Sequence, residues 1–258
     1  MNAKNIVPSF RYQLNEHLKP ILYCYLILVV AEAALGLLFG ISPINQYMVE
    51  ESGGSFSGDS GVGVIILLIL SLTTFRECFE MLQQNGVSRR SQFVGHLLTA
   101  GVVSAILTVG DTLFTLATYF LFFPIISGVA MPMGELFTTI YGAQGATLSG
   151  FFMALAQNFV GLLSIAALCY LFTVVFYRLS KWARYAVFGG GAILLFVGMP
   201  LIGLIPNSFV QNLFIAATNF IVFAFETPAV SLISHLVLFA ILSALAWLVL
   251  RKTSVKTV

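Results

Sequence analysis

The sequence predicts an all-α integral membrane protein with six transmembrane helices and with both termini in the cytoplasm. Of its 258 residues, 59% are hydrophobic and only 9% are charged, and the mean hydropathy is +0.99. Because a soluble domain has about 25% charged residues, this chain cannot cover a globule with polar groups. Lipid offers no partners to the backbone, so each span must be a helix or part of a closed barrel. The apolar runs are long and do not alternate with polar residues, which favours helices.

Six apolar segments approach or exceed the roughly 20 residues that a transmembrane helix needs. The predicted spans are residues 20–41, 61–75, 92–123, 149–176, 185–205 and 229–250. The second segment is short, whereas the third and the fourth are long enough to tilt or to project beyond the bilayer. Residues 1–258 are predicted to form one transmembrane domain.

All Lys and Arg residues fall on the same side of these six spans. They are Lys4, Arg11, Lys19, Arg76, Arg89, Arg90, Arg178, Lys181, Arg184, Arg251, Lys252 and Lys256. The segments on the other side carry acidic charges at Glu50, Glu51, Asp59, Glu135 and Glu226. Since basic loops stay on the cytoplasmic side, this asymmetry predicts a multi-pass protein with both ends inside. The same charge asymmetry suits a bacterial plasma membrane.

The N-terminal segment, residues 1–19, is predicted to be an amphipathic helix on the cytoplasmic membrane interface. Its apolar residues recur on one helical face. They are Val7, Phe10, Leu14 and Leu18. A frayed tail is the alternative, because Pro8 interrupts the start of the helix.

Between spans 2 and 3 the chain reads LTTFRECFEMLQQNGVSRRSQFVGHLL, with charges and amides set between apolar segments. Thr74 and Glu77 match the capping box T-x-x-E, which predicts a helix over residues 75–85 that starts at Phe75. This helix would be about 16 Å long. Its apolar face comprises Phe75, Cys78, Phe79 and Leu82.

The residues that follow this helix predict a sharp turn. Gly86 can take the left-handed conformation that ends a helix, and Ser88 can cap the next one. A short amphipathic helix held between two membrane helices suits docking into a groove of a cytoplasmic partner. The alternative is a helix that rests on lipid.

This segment resembles the first cytoplasmic loop in the six-span membrane subunits, or permeases, of type-2 ABC exporters. That loop typically reads E-R-E-x-G-T-x-E-x-L, then a turn, then S-R and an apolar helix start. The residues that match are Arg76, Glu77, Glu80, Leu82, Gly86, Val87, Ser88, Arg89, Phe93, Leu97 and Leu98. Cys78 and Phe79 stand where Gly-Thr is common, Gly86 stands near a usual Pro, and His96 stands where Lys is frequent.

The resemblance implies that residues 75–85 are a coupling helix seated in the cleft of a separate ATPase subunit. The docking residues it implies are Phe75, Arg76, Glu77, Phe79, Glu80, Leu82 and Arg89. It further implies two ATPase copies and a second membrane subunit, identical or homologous. Asp in place of Phe79 or Leu82 is then expected to uncouple ATPase activity from transport without removing the protein from the membrane.

No G-x-x-x-x-G-K-[ST] phosphate loop occurs in the chain, so any ATP and Mg would bind to the partner ATPase. This chain is therefore predicted to carry no cofactor and to be a transporter subunit rather than an enzyme. No nucleic-acid partner is indicated. Few intramembrane charges and 24 Phe residues suit an amphipathic or hydrophobic cargo, such as a peptide, a lipid-like molecule or a drug.

Residues 206–228 are apolar but are interrupted by Asn and Gln and bracketed by Pro206 and Pro228. A seventh span here would place Arg251 and Lys252 outside, against the charge rule. An external re-entrant helical hairpin is therefore predicted, as the resemblance also implies.

A polar stripe runs along span 3. It comprises Ser104, Thr108, Asp111, Thr115 and Thr118. An Asp at the middle of a span costs about 2.5–3.5 kcal/mol, so Asp111 should face protein or water. The stripe, with Gln157 on span 4, either lines a substrate path or packs helices through hydroxyl groups.

Two smaller groups of residues complete the candidates. Glu32, Gly36 and Gly40 share a face of span 1, where GxxxG spacing favours helix packing or a subunit interface. The odd number and wide spacing of the cysteines predict neither a disulfide framework nor a metal site.

Two other classes are weighed against the exporter. A secondary transporter of inverted repeats is one, although no internal repeat is visible. A rhomboid-like intramembrane serine protease is the other, because Ser149 precedes Gly150 and His235 lies in the last span. The family's G-x-S-G motif would need Gly where Thr147 stands, so Ser149 is more simply a helix N-cap and His235 a packed side chain.

Overall fold

A computed structural model of the chain describes residues 5–39, 60–127, 147–193 and 227–253, together with residues 216 and 219. Within these residues the secondary structure is helical and there is no strand, which confirms the all-α prediction for this part of the chain. Its elements are α1 (Ile6–Phe39), α2 (Ser60–Gln84), α3 (Arg89–Ser127), α4 (Leu148–Arg178), α5 (Lys181–Ile193) and α6 (Pro228–Leu250).

Five of the described helices, α1 to α4 and α6, are long and apolar enough to cross a membrane. They are compatible with a multi-pass membrane protein. α5 covers the first part of the predicted span 185–205, and the remainder of that span lies outside the described residues, as does nearly all of the predicted hairpin 206–228. The cytoplasmic placement of the termini and the bacterial plasma membrane stay predictions.

Helix α4 packs against α2, α3 and α6, while α1 packs against α3 and α2. The largest core lies where α1 to α4 meet and is built from aliphatic side chains that are nearly fully buried. They include Ile21, Ile66, Leu70, Val103, Leu107 and Leu162. Apolar residues on the outer faces, such as Leu22 and Ile27 of α1, stay more than half exposed, as expected of surfaces that face lipid.

One continuous helix, α1, includes both the predicted interfacial helix and the predicted first span. The helix continues through Pro20 without a break between these two segments, and the point at which the chain enters the membrane stays a prediction. A proline inside a helix removes one backbone hydrogen bond and crowds the carbonyl of residue i−4, at a cost of about 3 kcal/mol. The turns on either side are held by tertiary contacts, through the buried Gln13 before Pro20 and the buried Ile21 after it.

Helix α2 is also continuous, so the predicted new helix start at Phe75 is wrong. The hydroxyl of Thr74 donates to the carbonyl oxygen of Leu70 at 2.6 Å instead of capping a helix. A threonine can bond either way, and it bonds back to residue i−4 when the helix simply continues. Residues 75–84 are therefore about the last three turns of α2. We call them the α2 extension.

The turn after α2 has the predicted form. Gly86 has a φ of +70°, and the amides of Gly86 and Val87 donate to the carbonyl oxygens of Gln83 and Leu82, both at 3.0 Å. This is a Schellman motif, in which a left-handed glycine ends the helix. The hydroxyl of Ser88 then accepts from the amide of Ser91 at 3.2 Å and caps α3. Both local predictions are confirmed.

Candidate functional site

The candidate site lies at the end of the bundle where α1 and α3 begin and where α2, α4 and α6 end. It is called the basic end, because the described Lys and Arg residues lie in these helix ends and in the start of α5. They are Arg11, Lys19, Arg76, Arg89, Arg90, Arg178, Lys181, Arg184, Arg251 and Lys252. Side-chain contacts join the ends: Tyr177 of α4 donates to Glu80 of α2 at 3.3 Å.

An aromatic cluster holds the α2 extension against α4 and α6. Its members are Phe75, Phe79, Phe93, Tyr170, Tyr177 and Trp247. Phe75 stacks on Phe79 with ring centroids 5.6 Å apart, and Phe79 meets the ring of Tyr177 at 5.3 Å. Such pairs contribute about 0.5–1.5 kcal/mol each beyond the burial of their area. The cluster therefore fixes the α2 extension to the body of the bundle.

This packing changes the interpretation of the residues predicted to dock an ATPase. Phe75, Phe79 and Leu82 are 7%, 0% and 6% exposed, so they face their own chain in this structure. The sequence showed an apolar helical face but could not show what covers it, and here α4 and α6 provide the cover. In this structure the three side chains are therefore core residues of their own chain, and their contact with a partner stays a prediction.

The charged docking candidates are placed differently. Arg76 and Glu77 are exposed, whereas Glu80 is partly buried. Arg76 forms an ion pair with Glu80, with Nε 3.0 Å from Oε1. Arg89, the first residue of α3, donates to a backbone carbonyl oxygen at the end of α6. Arg76 and Glu77 are thus accessible to a partner, and Glu80 and Arg89 make contacts within the chain.

A network of amide side chains links α1, α2 and α3 at the basic end. Gln13 donates to the hydroxyl of Ser9 at 3.1 Å and to the carbonyl oxygen of Gln92 at 3.2 Å. Gln83 donates to Oε1 of Gln92 at 3.0 Å and to the carbonyl oxygen of Val87 at 3.3 Å. No motif in the sequence marks these residues, although the i, i+4 spacing of Ser9 and Gln13 is compatible with their hydrogen bond.

The polar stripe of α3 lies inside the bundle. Ser104, Thr108 and Asp111 are 0%, 5% and 1% exposed. The hydroxyl of Tyr25, on α1, donates to the carboxylate of Asp111. These three side chains are buried between helices in this structure, and both roles of the stripe, a substrate path and helix packing, stay predictions.

Two glycines make room for this pair. A Cβ added to Gly63 of α2 would lie 2.6 Å from Oδ2 of Asp111, and one added to Gly110 would lie 2.8 Å from the Tyr25 ring. α1, α2 and α3 therefore approach closely around the Tyr25–Asp111 pair.

The other residues predicted to line a substrate path or to pack helices lie on α1, α3 and α4 or outside the described residues. Gln157 is partly buried on α4. Thr115 and Thr118 lie farther along α3, and Glu32 and Gly36 lie on α1. The structure describes the backbone of these four residues but not their side chains. Gly40 is outside the described residues. For these positions the proposed roles stay predictions.

The serine and histidine of the protease alternative lie far apart. Ser149 is exposed at the start of α4, where Thr147, not Ser149, is the N-cap. His235 is buried beside Gly161, whose added Cβ would lie 3.7 Å from its Nε2. Gly161 is about 18 Å along α4 from Ser149. The structure does not bring the two side chains together.

The described part of the chain contains no candidate metal centre. Cys24, Cys78 and Cys169 are free thiols. Among the described residues, no group of three His, Cys, Asp or Glu side chains could hold a metal ion.

No family model, curated protein or solved structure matches this chain.

Proposed function

We propose that this chain is the membrane-spanning subunit of an ATP-driven ABC exporter that moves an amphipathic or hydrophobic substrate out of the cell. The observation that supports it most is the attachment of the α2 extension. The aromatic cluster joins this segment to α4 and α6, and the amide network joins it to α1 and α3. A displacement of the α2 extension would therefore reach four other helices at once.

The surface left for an ATPase is the outer edge of the α2 extension. We call it the docking edge; it comprises Arg76, Glu77, Met81 and Gln84, all of them exposed. Glu77, Met81 and Gln84 follow the i, i+4, i+7 spacing of a single helical face. Two charges, an amide and a flexible methionine suit adaptable contact with a protein groove.

In the proposed mechanism, ATP and Mg bind only to the partner. Closure of two ATPase subunits would push on the docking edges of two membrane subunits, which are identical or homologous. Because the aromatic cluster makes the α2 extension part of the bundle, α4 and α6 would follow it. The facing helices of the two subunits would then close the cytoplasmic side and release the substrate outward.

Site-specific photo-crosslinking tests this proposal. A photoreactive amino acid at position 81 is expected to capture a nucleotide-hydrolysing subunit in intact cells, whereas the same group at Leu245 on α6 is not. In the purified complex, Glu77→Lys with Met81→Asp should lower substrate-stimulated ATPase activity several-fold. Lys252→Glu, a charge reversal elsewhere on the basic end, should leave that activity unchanged. An unaltered activity in the docking-edge variant would contradict the proposal.

A proton-coupled secondary transporter is the second candidate, favoured by one observation. Asp111 is a carboxylate buried in the bundle and bonded to Tyr25, and ionisable groups inside membrane helices often carry protons. Vesicle transport distinguishes the two candidates. For a secondary transporter, Asp111→Asn should abolish uptake driven by a proton gradient without ATP. For the exporter, transport should require ATP and resist a protonophore.

A further inference from the structure

A small cavity, with several polar side chains in a mostly apolar lining, lies beside the aromatic cluster, between α1, α2, α3 and α4. Its polar lining includes His17, Thr74, Cys78, Gln92, His96 and Tyr170. The space open to the centres of water molecules is about 20 Å³. Roughly 10–15 Å³ in this measure holds one water molecule, so the cavity has room for one or two.

Two buried polar atoms belong to residues that line this cavity. The Nε2 atom of His96 and the hydroxyl of Tyr170 are buried, and neither has a hydrogen-bond partner among the described residues. The two rings stack with centroids 3.6 Å apart and an angle of 17° between their planes. His96 of α3 and Tyr170 of α4 thus both line the cavity, and each carries a buried polar atom with no partner among the described residues.

A third ring with polar atoms, that of His17, also lines the cavity. The ring of His17, on α1, has its Nε2 3.3 Å from the hydroxyl of Thr74. Its Nδ1 lies 2.6 Å from the carbonyl oxygen of Gln13, which can only accept, so Nδ1 carries a proton. The cavity is thus bordered by polar groups from all four helices.

We propose that this cavity is an internal water site, in which one or two ordered water molecules bridge His96 and Tyr170. Buried water typically makes about three hydrogen bonds to polar groups that would otherwise be unsatisfied. A water molecule can accept from the Tyr170 hydroxyl and donate to a bare ring nitrogen of His96, and the polar groups of α1 and α2 complete its shell. Exchangeable hydrogen bonds then connect α1 to the base of the α2 extension, at the edge of the aromatic cluster.

Radiolytic labelling of the full chain in lipid nanodiscs tests the proposal directly. X-ray pulses convert bound water into hydroxyl radicals, which oxidise adjacent side chains. Phe75 and Phe79 provide a matched pair, because they stack on each other and both are nearly fully buried, but only Phe75 lines the cavity. We expect Phe75 to be oxidised several-fold faster than Phe79. Equal rates for the two would overturn the water site.

The change in Tm caused by Tyr170→Phe provides a second test, because a cavity that holds water and a dry cavity predict different changes. With water present, Tyr170→Phe removes a satisfied hydrogen bond and should lower Tm by about 2–4 °C. In a dry cavity, the same change removes an unsatisfied hydroxyl and should leave Tm unchanged or raise it. Ser104→Ala is the control, because its buried hydroxyl also lacks a partner among the described residues but lies outside the cavity. A Tyr170→Phe variant that behaves like Ser104→Ala would contradict the proposal.

Discussion

The guanidinium of Arg89 donates through Nη1 to the backbone carbonyl oxygen of Arg251 at 2.6 Å, across 162 residues of sequence. It ties the first residue of α3 to the residue that caps the C-terminus of α6. The other end of the α2–α3 turn is held through Gln83 and Gln92. The turn and the end of α6 therefore form one connected unit at the basic end.

Replacing Arg89 by Gln is expected to loosen the end of α6. The bond is exposed, so its loss should cost about 1 kcal/mol or less. The local effect should still be visible as faster hydrogen exchange at the amides of Arg251 and Thr253. Arg90→Gln is the matched control, since Arg90 is the exposed neighbour. Equal exchange in both variants would show that the Arg89 bond does not restrain α6.

Gly86→Ala is expected to destabilise the protein by about 1–2 kcal/mol, because an L-residue with a side chain disfavours the left-handed conformation at φ +70°. Gly86→Asn should cost less, since Asn tolerates this region better. Gly189→Ala is the control: its added Cβ has nothing within 4 Å, and alanine favours a helix by about 1 kcal/mol. Thermal unfolding in detergent measures all three variants. A Gly86→Ala protein as stable as the control would contradict the Schellman geometry.

The elements that could be predicted from the sequence are those set by local chemistry or by composition. Apolar segments of this length indicate helices in lipid, and Gly86 followed by Ser88 indicates a turn, because the deciding atoms lie within a few residues of one another. The helix start predicted from the capping box at Thr74 was wrong, also for a physical reason. The same hydroxyl can cap a new helix or bond back to Leu70, and packing of the next turns decides between them.

The contacts that define the candidate site could not be predicted from one sequence. Tyr25 and Asp111 are 86 residues apart, and Gln13 and Gln92 are 79 apart. Helical periodicity shows that Phe75 and Phe79 share an apolar face, but it does not distinguish a partner protein from α4 and α6 of the same chain.

Gly63→Ala is expected to destabilise the bundle by about 1–3 kcal/mol through overpacking. The added Cβ would lie 2.6 Å from Oδ2 of Asp111 and 3.0 Å from the Leu162 side chain, so α2 or Asp111 must move. Gly101→Ala, also within a membrane helix, is the control because nothing lies within 4 Å of its added Cβ. The free energy of unfolding should therefore be lower for Gly63→Ala than for Gly101→Ala. A neutral Gly63→Ala would mean that α2 and α3 are farther apart than the structure shows.

Tyr25→Phe is expected to cost about 1–3 kcal/mol, since it removes the hydroxyl that donates to the buried carboxylate of Asp111. Asp111→Asn should weaken the same contact, and the double variant should be less destabilised than the sum of the two single changes. A double-mutant cycle on unfolding free energies measures this coupling. Tyr23→Phe, a hydroxyl deletion at an exposed position of the same helix, should have little effect. Additive single changes would show that the two groups are not coupled.

Phe79→Ala is expected to destabilise the protein by about 3–5 kcal/mol, because Phe79 is fully buried among aromatic side chains. Phe152→Ala, at a position 60% exposed on α4, should cost much less. Phe79→Asp would bury a charge in the aromatic cluster, so the folded but uncoupled variant expected from the sequence alone should not be obtained. Gel filtration in detergent, followed by thermal unfolding, checks both Phe79 variants. A monodisperse Phe79→Asp protein with wild-type stability would mean that the cluster does not form, and that this face is free for a partner as the sequence predicted.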